Sequence, residues 1–396
     1  MTDRPPSRAI PAGIWALGFT SLFMDASTEL IHSLMPVFLV GVLGTSVATV
    51  GVIEGIAEAT ASIAKVFSGA LSDYVGRRKP LTIAGYGIAA LTRPLFPLAA
   101  SVSLVLAARF IDRLGKGIRG APRDALVGDL APPELRGASY GLRQSLDTVG
   151  AVIGPALAIA AMALLDDDIR AAFWVAVVPA IASVSILIIA VREPARPEGD
   201  HVFRTPIRVS NLKALGLSFW LVAAIGGVLT LARFSEAFLV LRAESVGLGP
   251  GLVPLVMVVM SVVYAAAAYP AGRLSDRLGR RGLIGLGFAI LIGADLVLAL
   301  ADGILGALIG SALWGLHMGL TQGLLAALVA DSAPKALRGT AFGAFNLLSG
   351  LALLAASALA GSIWDAYGAP TTFFTGAVIA AVGLPGLLAL RPHAAP

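Results

Sequence analysis

GALSDYVGRRK at residues 69–79 and GRLSDRLGRRG at 272–282 are one phrase written twice, with their central aspartates, Asp73 and Asp276, 203 residues apart. A second pair, APPELRGASYG at 131–141 and APKALRGTAFG at 333–343, returns after 202 residues, counted from Gly137 to Gly339. Two independent pairs at nearly one offset mark a duplicated chain. Apolar runs, each near the ~20 residues that cross a bilayer as helix, fill the sequence around these phrases. Twelve are predicted, at about 13–41, 47–71, 80–100, 102–126, 136–163, 171–191, 213–242, 250–271, 282–301, 303–329, 339–363 and 370–390. The expected fold is an all-α membrane protein with twelve transmembrane helices in two pseudo-symmetric six-helix bundles, residues 1–191 and 213–396. The segment 192–212, rich in charge and proline, reads as a cytoplasmic linker between them.

Composition agrees. The chain is 57% hydrophobic and 13% charged, with mean hydropathy +0.86, where soluble domains carry about 25% charged residues. Basic residues concentrate at the amino terminus and in the even-numbered connections: Arg4, Arg8, Arg77, Arg78, Lys79, Arg136, Arg192, Arg196, Arg204, Arg208, Arg277, Arg280, Arg281, Lys335 and Arg338. The odd-numbered loops carry Asp166, Asp167, Asp168, Glu244, Asp302 and Asp365, with Arg170 as the exception. The positive-inside rule then places both termini in the cytoplasm, in a multi-pass protein of the inner membrane. The pI of 9.7 is read as this topology signal, and no nucleic-acid partner is expected. The first apolar run carries Asp25 and Glu29 in its middle and is too long for a cleavable signal, so it is expected to remain. With no cysteine in the chain, disulfides and thiolate chemistry are excluded.

These phrases carry a resemblance. Gly69, Asp73, Gly76, Arg77 and Arg78 match the loop 2–3 signature of the major facilitator superfamily, and Gly272, Asp276, Gly279, Arg280 and Arg281 are similar to its weaker second copy. In the fourth helix, Arg109-Phe-Ile-Asp-Arg-Leu-Gly115-Lys-Gly117 resembles another pattern of that family, with Asp112, Arg113 and Lys116 where the family usually has glutamine, glycine and a small residue. In the fifth, Gly150, Gly154 and Pro155 resemble the signature of its exporting, proton-antiporting drug and metabolite branches. The resemblance implies a transporter whose two bundles rock about a midplane cavity, giving alternating access. It also implies gating by the loop motif, with Asp73 against the amino end of the eleventh helix near Gly339–Ala341 and Arg123 in the relay. Gly150 and Gly154 share one face of the fifth helix and thin it against a neighbour, while Pro155 removes a backbone donor and permits a bend.

The first half carries many intramembrane charges. At 100° per residue Asp25, Glu29 and His32 share one face of the first helix, and Glu54, Glu58 and Lys65 one face of the second. Arg109, Asp112, Arg113, Lys116, Arg119 and Arg123 form a stripe on the fourth helix beside Asp124, and Arg143 and Asp147 lie on the glycine face of the fifth. Each charge costs about 2.5–3.5 kcal/mol at a helix centre, so the set must face protein or water. Near balance of sign, with Arg93 included, also permits a lattice of ion pairs that holds the bundle together. Proton coupling is assigned to Asp25, Glu29, Glu54, Glu58, Asp112 and Asp147, with Arg109 and Arg113 as tuning partners. The second half offers a mostly uncharged wall. Candidate substrate contacts are Trp220, Phe234, Glu236, Trp314, His317, Gln322, Phe345 and Asn346, together with His32, Lys116 and Arg143.

The expected activity is proton-coupled antiport that exports a small organic molecule, charged or zwitterionic, by a monomer that needs no cofactor. Two alternatives stay open. Met35 lies one turn from His32, Met257 one turn from Met260, and Met318 beside His317, which would suit nickel, iron or copper as a transported ion. Arg109, Arg113 and Lys116 would suit import of an anionic nutrient. No resident metal site is expected. An enzyme is not expected either, because serines lack a matched base and no phosphate-cradling loop is present.

Overall fold

The computed structural model describes residues 9–75, 77–194, 209–278, 280–334 and 337–389, without the side chains of 73, 209, 276–278, 388 and 389. Helices follow one another throughout. They are α1 (Ala12–Val37), continued by a π-helical turn Phe38–Val42, α2 (Val47–Val75), α3 (Arg78–Thr92), α4 (Val102–Leu130), α5 (Arg136–Leu164), α6 (Ile169–Val175) and α7 (Val177–Ala190). The second half has α8 (Val209–Lys213), α9 (Gly216–Ala232), α10 (Ala237–Ser245), α11 (Leu255–Leu278), α12 (Arg280–Leu300), α13 (Ile304–Ser332), α14 (Arg338–Tyr367) and α15 (Ala369–Gly383). Among the described residues nine helical stretches are long and apolar enough to cross a membrane. Helix α4 falls outside that set because its charged stripe lowers its hydropathy.

Two predicted helices are interrupted. The sixth breaks at Ala176, where Pro179 has no N–H for the carbonyl of Val175 and Ser27 Oγ donates to the Ala176 carbonyl at 2.7 Å. The seventh, predicted as continuous over 213–242, unwinds between Ala232 and Ala237. There Arg233 leaves helical geometry at φ −105°, ψ 84°, and side chains replace the lost ladder: Ser235 N donates to Ser357 Oγ and Ala237 N to Ser235 Oγ, both at 3.2 Å. A break inside protein is tolerated when its backbone groups are met in this way.

The described chain forms two compact units. One holds α1 up to Ile31, Ala64–Ala99, and the stretch from Ser103 through α7; the other holds His32–Ile63, Ala100–Val102 and the helices from α9 to α15. In the first unit Gly150 and Gly154 bring α5 onto α1: a Cβ at Gly154 would sit 2.6 Å from the Ala26 carbonyl and 2.7 Å from Glu29 Cβ. Tyr86, Ala89, Leu126, Val127, Ala180, Leu187 and Val191 join α3, α4 and α7 in a buried core. In the second unit the amino-terminal half of α2 packs on the carboxyl-terminal half of α14 through Gly51 against Ser357, Gly55 against Leu354, and Gly361 against Val47 and Ala48.

The internal repeat extends to individual contacts. Val102–Leu130 and Ile304–Ser332 start and stop 202 residues apart. At that offset Gly85 on Arg119 becomes Gly287 on Thr321, and Arg78 paired with Asp129 becomes Arg280 paired with Asp331. Thr28 Oγ1 bonding the Met24 carbonyl becomes Thr230 Oγ1 bonding that of Gly226. Duplication preserved this glycine crossing and the end-of-helix ion pair while the side chain opposite the glycine changed.

The crossing of α3 and α4 is tight enough to exclude one methyl group. A Cβ at Gly85 would lie 2.6 Å from Arg119 Cβ and 2.7 Å from the Gly115 carbonyl, whereas one at Gly87 meets nothing within 4 Å. Gly85→Ala is expected to lower stability by about 1–3 kcal/mol through overpacking. Gly87→Ala on the same helix should be neutral or stabilising by up to about 1 kcal/mol. Thermal denaturation of the two variants in detergent checks the opposite signs.

Candidate functional site

Charged residues of α1, α3, α4 and α5 meet in the first unit in two arrangements of different accessibility. The inner one is dry. Arg93 Nη2 reaches Asp112 Oδ1 at 3.0 Å, Thr28 Oγ1 at 2.8 Å and Met24 Sδ at 3.6 Å, and Arg113 Nε lies 3.9 Å from Asp112 Oδ2. Arg93, Asp112 and Arg113 are 1–2% exposed, so this is a buried ion cluster in which loss of one partner strands the others. Arg109 is equally buried one turn away on α4.

The second arrangement is partly open. Arg119 stacks on the Tyr86 ring, 4.4 Å from its centroid, and its Nη2 lies 3.8 Å from Asp25 Oδ1. Arg123 reaches Asp124 at 3.1 Å, Asp147 at 3.8 Å and Ser21 Oγ at 2.9 Å, and Arg143 bridges Asp124 and Asp147, each at 3.1 Å. The carboxylates keep access: the side chains of Asp25, Asp124 and Asp147 are 25%, 35% and 15% exposed. Asp25 and Asp147 lie within electrostatic reach of each other, and Lys116 and Arg123 also act on Asp25. Gly150 is what brings the acids together, since a Cβ there would stand 3.1 Å from Asp25 Cβ. Lys65 of α2 lies along Gly120 of α4. Glu29, on the same face of α1, flanks Gly154.

The remaining first-half candidates belong to the second unit. Glu54 is buried and lies 3.3 Å from His32 Nε2, and Glu58 follows one turn on along α2, half-buried. Sequence alone joined His32 to Asp25 and Glu29 by helical face; packing gives it to Glu54.

In the second half, Phe234 and Trp314 sit in a buried aromatic cluster, with ring centroids 5.5 Å apart and Phe234 5.1 Å from Phe238 and 5.4 Å from Phe373. His317 Nδ1 bonds the Gly287 carbonyl at 2.8 Å, at the register position where Gly115 meets Gly85 in the first half. Phe345 packs on Gly226, Trp220 is part-exposed against Phe219, and Glu236, Gln322 and Asn346 are half-buried. Two buried ionisable residues escaped the sequence reading. Arg242 donates to the carbonyls of Leu298, Ala299 and Ala301 at 2.6–3.3 Å, and Asp295, in the middle of α12, is fully enclosed. A lone aspartate inside an apolar span was the available signal.

Of the gating candidates, Arg78 pairs with Asp129 at 3.1 Å and its backbone N–H donates to Glu193, Arg77 is exposed, Gly69 rests on Ala121, and Pro155 is buried in α5. Gly76 and the side chains of Asp73 and Asp276 lie outside the described residues, and with them the expected contact to the start of the eleventh helix. A different helix-end contact is present. Asp365, at the end of α14, accepts from the first backbone N–H groups of α2, Val47 N at 3.1 Å and Ala48 N at 2.9 Å.

Residues 17–353 match the family model of the Major Facilitator Superfamily, and 229–396 match it again. The chain belongs to the Major Facilitator Superfamily. It is similar to an uncharacterised MFS-type transporter of Methanocaldococcus jannaschii, 29% identical over 97% of this chain and 95% of that one. It is also similar to the multidrug resistance protein MdtH of Edwardsiella ictaluri, 28% identical over 69% of this chain and 68% of the relative. The crystal structure of a bacterial homolog of the human lysosomal transporter Spinster, inward-facing and unoccupied, shares the fold, with TM-score 0.78 at 15% identity over 97% and 98% of the two chains. This chain is therefore a multi-pass membrane transporter of the superfamily's twelve-helix fold and not an enzyme.

In this superfamily member Asp365 joins the two sequence halves as a borrowed N-cap, a contact worth about 1 kcal/mol. Asp365→Ala should loosen α2 from α14 and raise alkylation of a reporter Ser62→Cys, which faces Gly350, about fivefold. The native chain has no cysteine, so the reporter rate is read without background.

Proposed function

We propose that the chain is a proton-coupled antiporter of the inner membrane, with both termini cytoplasmic, that exports a small charged or zwitterionic organic molecule by alternating access. The observation that carries this reading is the part-open ladder of Asp25, Arg119, Arg123, Asp147, Arg143 and Asp124 at the glycine crossing of α1 and α5. Three guanidinium groups share three carboxylates there, so protonating one acid frees an arginine to change partner. In an apolar surround such an exchange costs little only while every charge stays met. Asp25 and Asp147 are the carriers in this scheme, Arg119, Arg123 and Arg143 the partners that sense them, and the dry Arg93–Asp112–Arg113 cluster the fixed anchor. Glu29 adds a further acid on the same face of α1, and Glu54 with His32 and Glu58 forms a separate acidic group in the second unit. In that second unit the half-buried Glu236, Gln322, Phe345 and Asn346 supply substrate contacts of mixed charge and polarity. Similarity to a multidrug resistance protein supports the export direction.

Proteoliposomes loaded at acidic internal pH should accumulate an organic cation or zwitterion as protons leave. Asp25→Asn and Asp147→Asn should each cut that gradient-driven accumulation by about 5–150-fold, while exchange of labelled for unlabelled substrate at equal pH persists. A panel of cationic drugs, organic anions, zwitterions, Ni²⁺, Fe²⁺ and Cu⁺ reads the specificity; response by the metals alone would overturn the proposal.

A further inference from the structure

Asp295 occupies in α12 the place that Arg93 occupies at the end of α3, at the offset of 202 that aligns Val102 with Ile304. Asp112, the partner of Arg93, is replaced at that offset by Trp314, and Thr28 by Thr230. The first half therefore closes this position with a salt bridge at 3.0 Å, and the second half holds one acid and one indole. Both are buried with their polar atoms unmet: Asp295 Oδ1, Asp295 Oδ2 and Trp314 Nε1 have no hydrogen-bond partner, and both residues are 0% exposed. Gly376 of α15 makes the niche. A Cβ there would lie 2.7 Å from Asp295 Oδ2 and 3.2 Å from the Ala232 carbonyl. Ala232 is the last residue of α9, so its carbonyl has no helical N–H to accept and carries the negative end of that helix.

Among the described residues, no cation on the elements packed against α12 pairs with the acid. Arg242 is committed to the carbonyls at the end of α12, Arg280 pairs with Asp331 at its start, and Arg233, half-buried beside Ala232, makes no ion pair with Asp295. His317 is bonded to Gly287, two helical turns from Asp295, and α9 and α15 contribute no ionisable side chain. Glu236 precedes α10 and Glu244 lies in its last turn, and Arg273 lies toward the far end of α11. An enclosed carboxylate among carbonyls costs several kcal/mol, whereas the neutral acid turns one acceptor into a donor.

We propose that Asp295 is a proton-binding site of the second half, separate from the charged ladder of the first, and that its proton ties α12 to the interrupted α9–α10 helix. The bound proton forms one O–H bond on a carboxylate oxygen and directs it at the Ala232 carbonyl. Loss of the proton leaves two acceptors facing each other and loosens the break. The site stands whether or not transport is coupled at Asp25.

Infrared spectroscopy of the full protein in liposomes tests this. Wild-type chain made with aspartate carrying heavy carbon in its side-chain carboxyl should show, at neutral pH, a protonated-carboxyl stretch that moves with the label. That band should be lost in Asp295→Asn and kept in Asp25→Asn. An unchanged band in Asp295→Asn would overturn the proposal, as would a wild-type spectrum without the band. Disappearance of the band on adding Na⁺ at constant pH would also overturn it, by showing a metal-cation site. Should Asp295→Asn not fold, Asp295→Glu decides the matter: it keeps a carboxyl without the aspartate label, so the band should no longer move with the isotope. None of these readouts depends on substrate flux.

Discussion

A guanidinium enclosed among membrane helices has to be met by an anion, and in this chain Arg93 is met by Asp112. Most of the first unit's polar architecture follows from that demand. With Asp112 held by Arg93 and flanked by Arg113, Arg119 and Arg123 of α4 must find other carboxylates, and they meet them on α1, α4 itself and α5. The glycine face of α5 makes that possible, because only a helix stripped of side chains at Gly150 and Gly154 brings Asp147 close enough to Asp25 to share arginines with it. Charge balance and close packing are thus one constraint: a bulky residue at either glycine would separate the acids as well as the helices.

The second half retains the backbone of this arrangement and discards its charges. Gly287 crosses Thr321 as Gly85 crosses Arg119, and the end-of-helix pair of Arg280 with Asp331 matches that of Arg78 with Asp129. Crossings defined by glycine cannot drift without steric cost, whereas the side chains that fill the spaces between them can be exchanged in sets. Trp314, packed on Phe234, puts an indole at the position that Asp112 holds in the first half.

The repeat, the helix number and the polarity of the fourth helix were legible because each is written as periodicity or composition. The break at Ala176 had a readable cause in Pro179. The break at 233–236 had none: Arg-Phe-Ser-Glu contains neither glycine nor proline, and the unwinding is stabilised by Ser357, far away in sequence. Helical-wheel geometry groups the α4 stripe on one face, yet it could not tell the dry Asp112 from the part-open Asp124 on the same helix, since burial is set by the packing of neighbouring helices. Trp314 read as cavity lining from its chemistry and lies in a closed aromatic core. Asp295 belongs to no stripe or repeat, so its only signal was its own presence as a lone acid in an apolar span.

Contact units and sequence halves do not coincide, and α1 shows why that matters. The division falls between Ile31 and His32, inside one uninterrupted helix, so Asp25 and Glu29 pack with α5 while His32 packs with Glu54 on the α2 stretch that rests on α14. Helix α2 is divided in the same way between Ile63 and Ala64. Fewer than two helical turns separate Asp25 from His32, so one continuous stretch of backbone carries an acid at the α5 crossing and an imidazole beside Glu54.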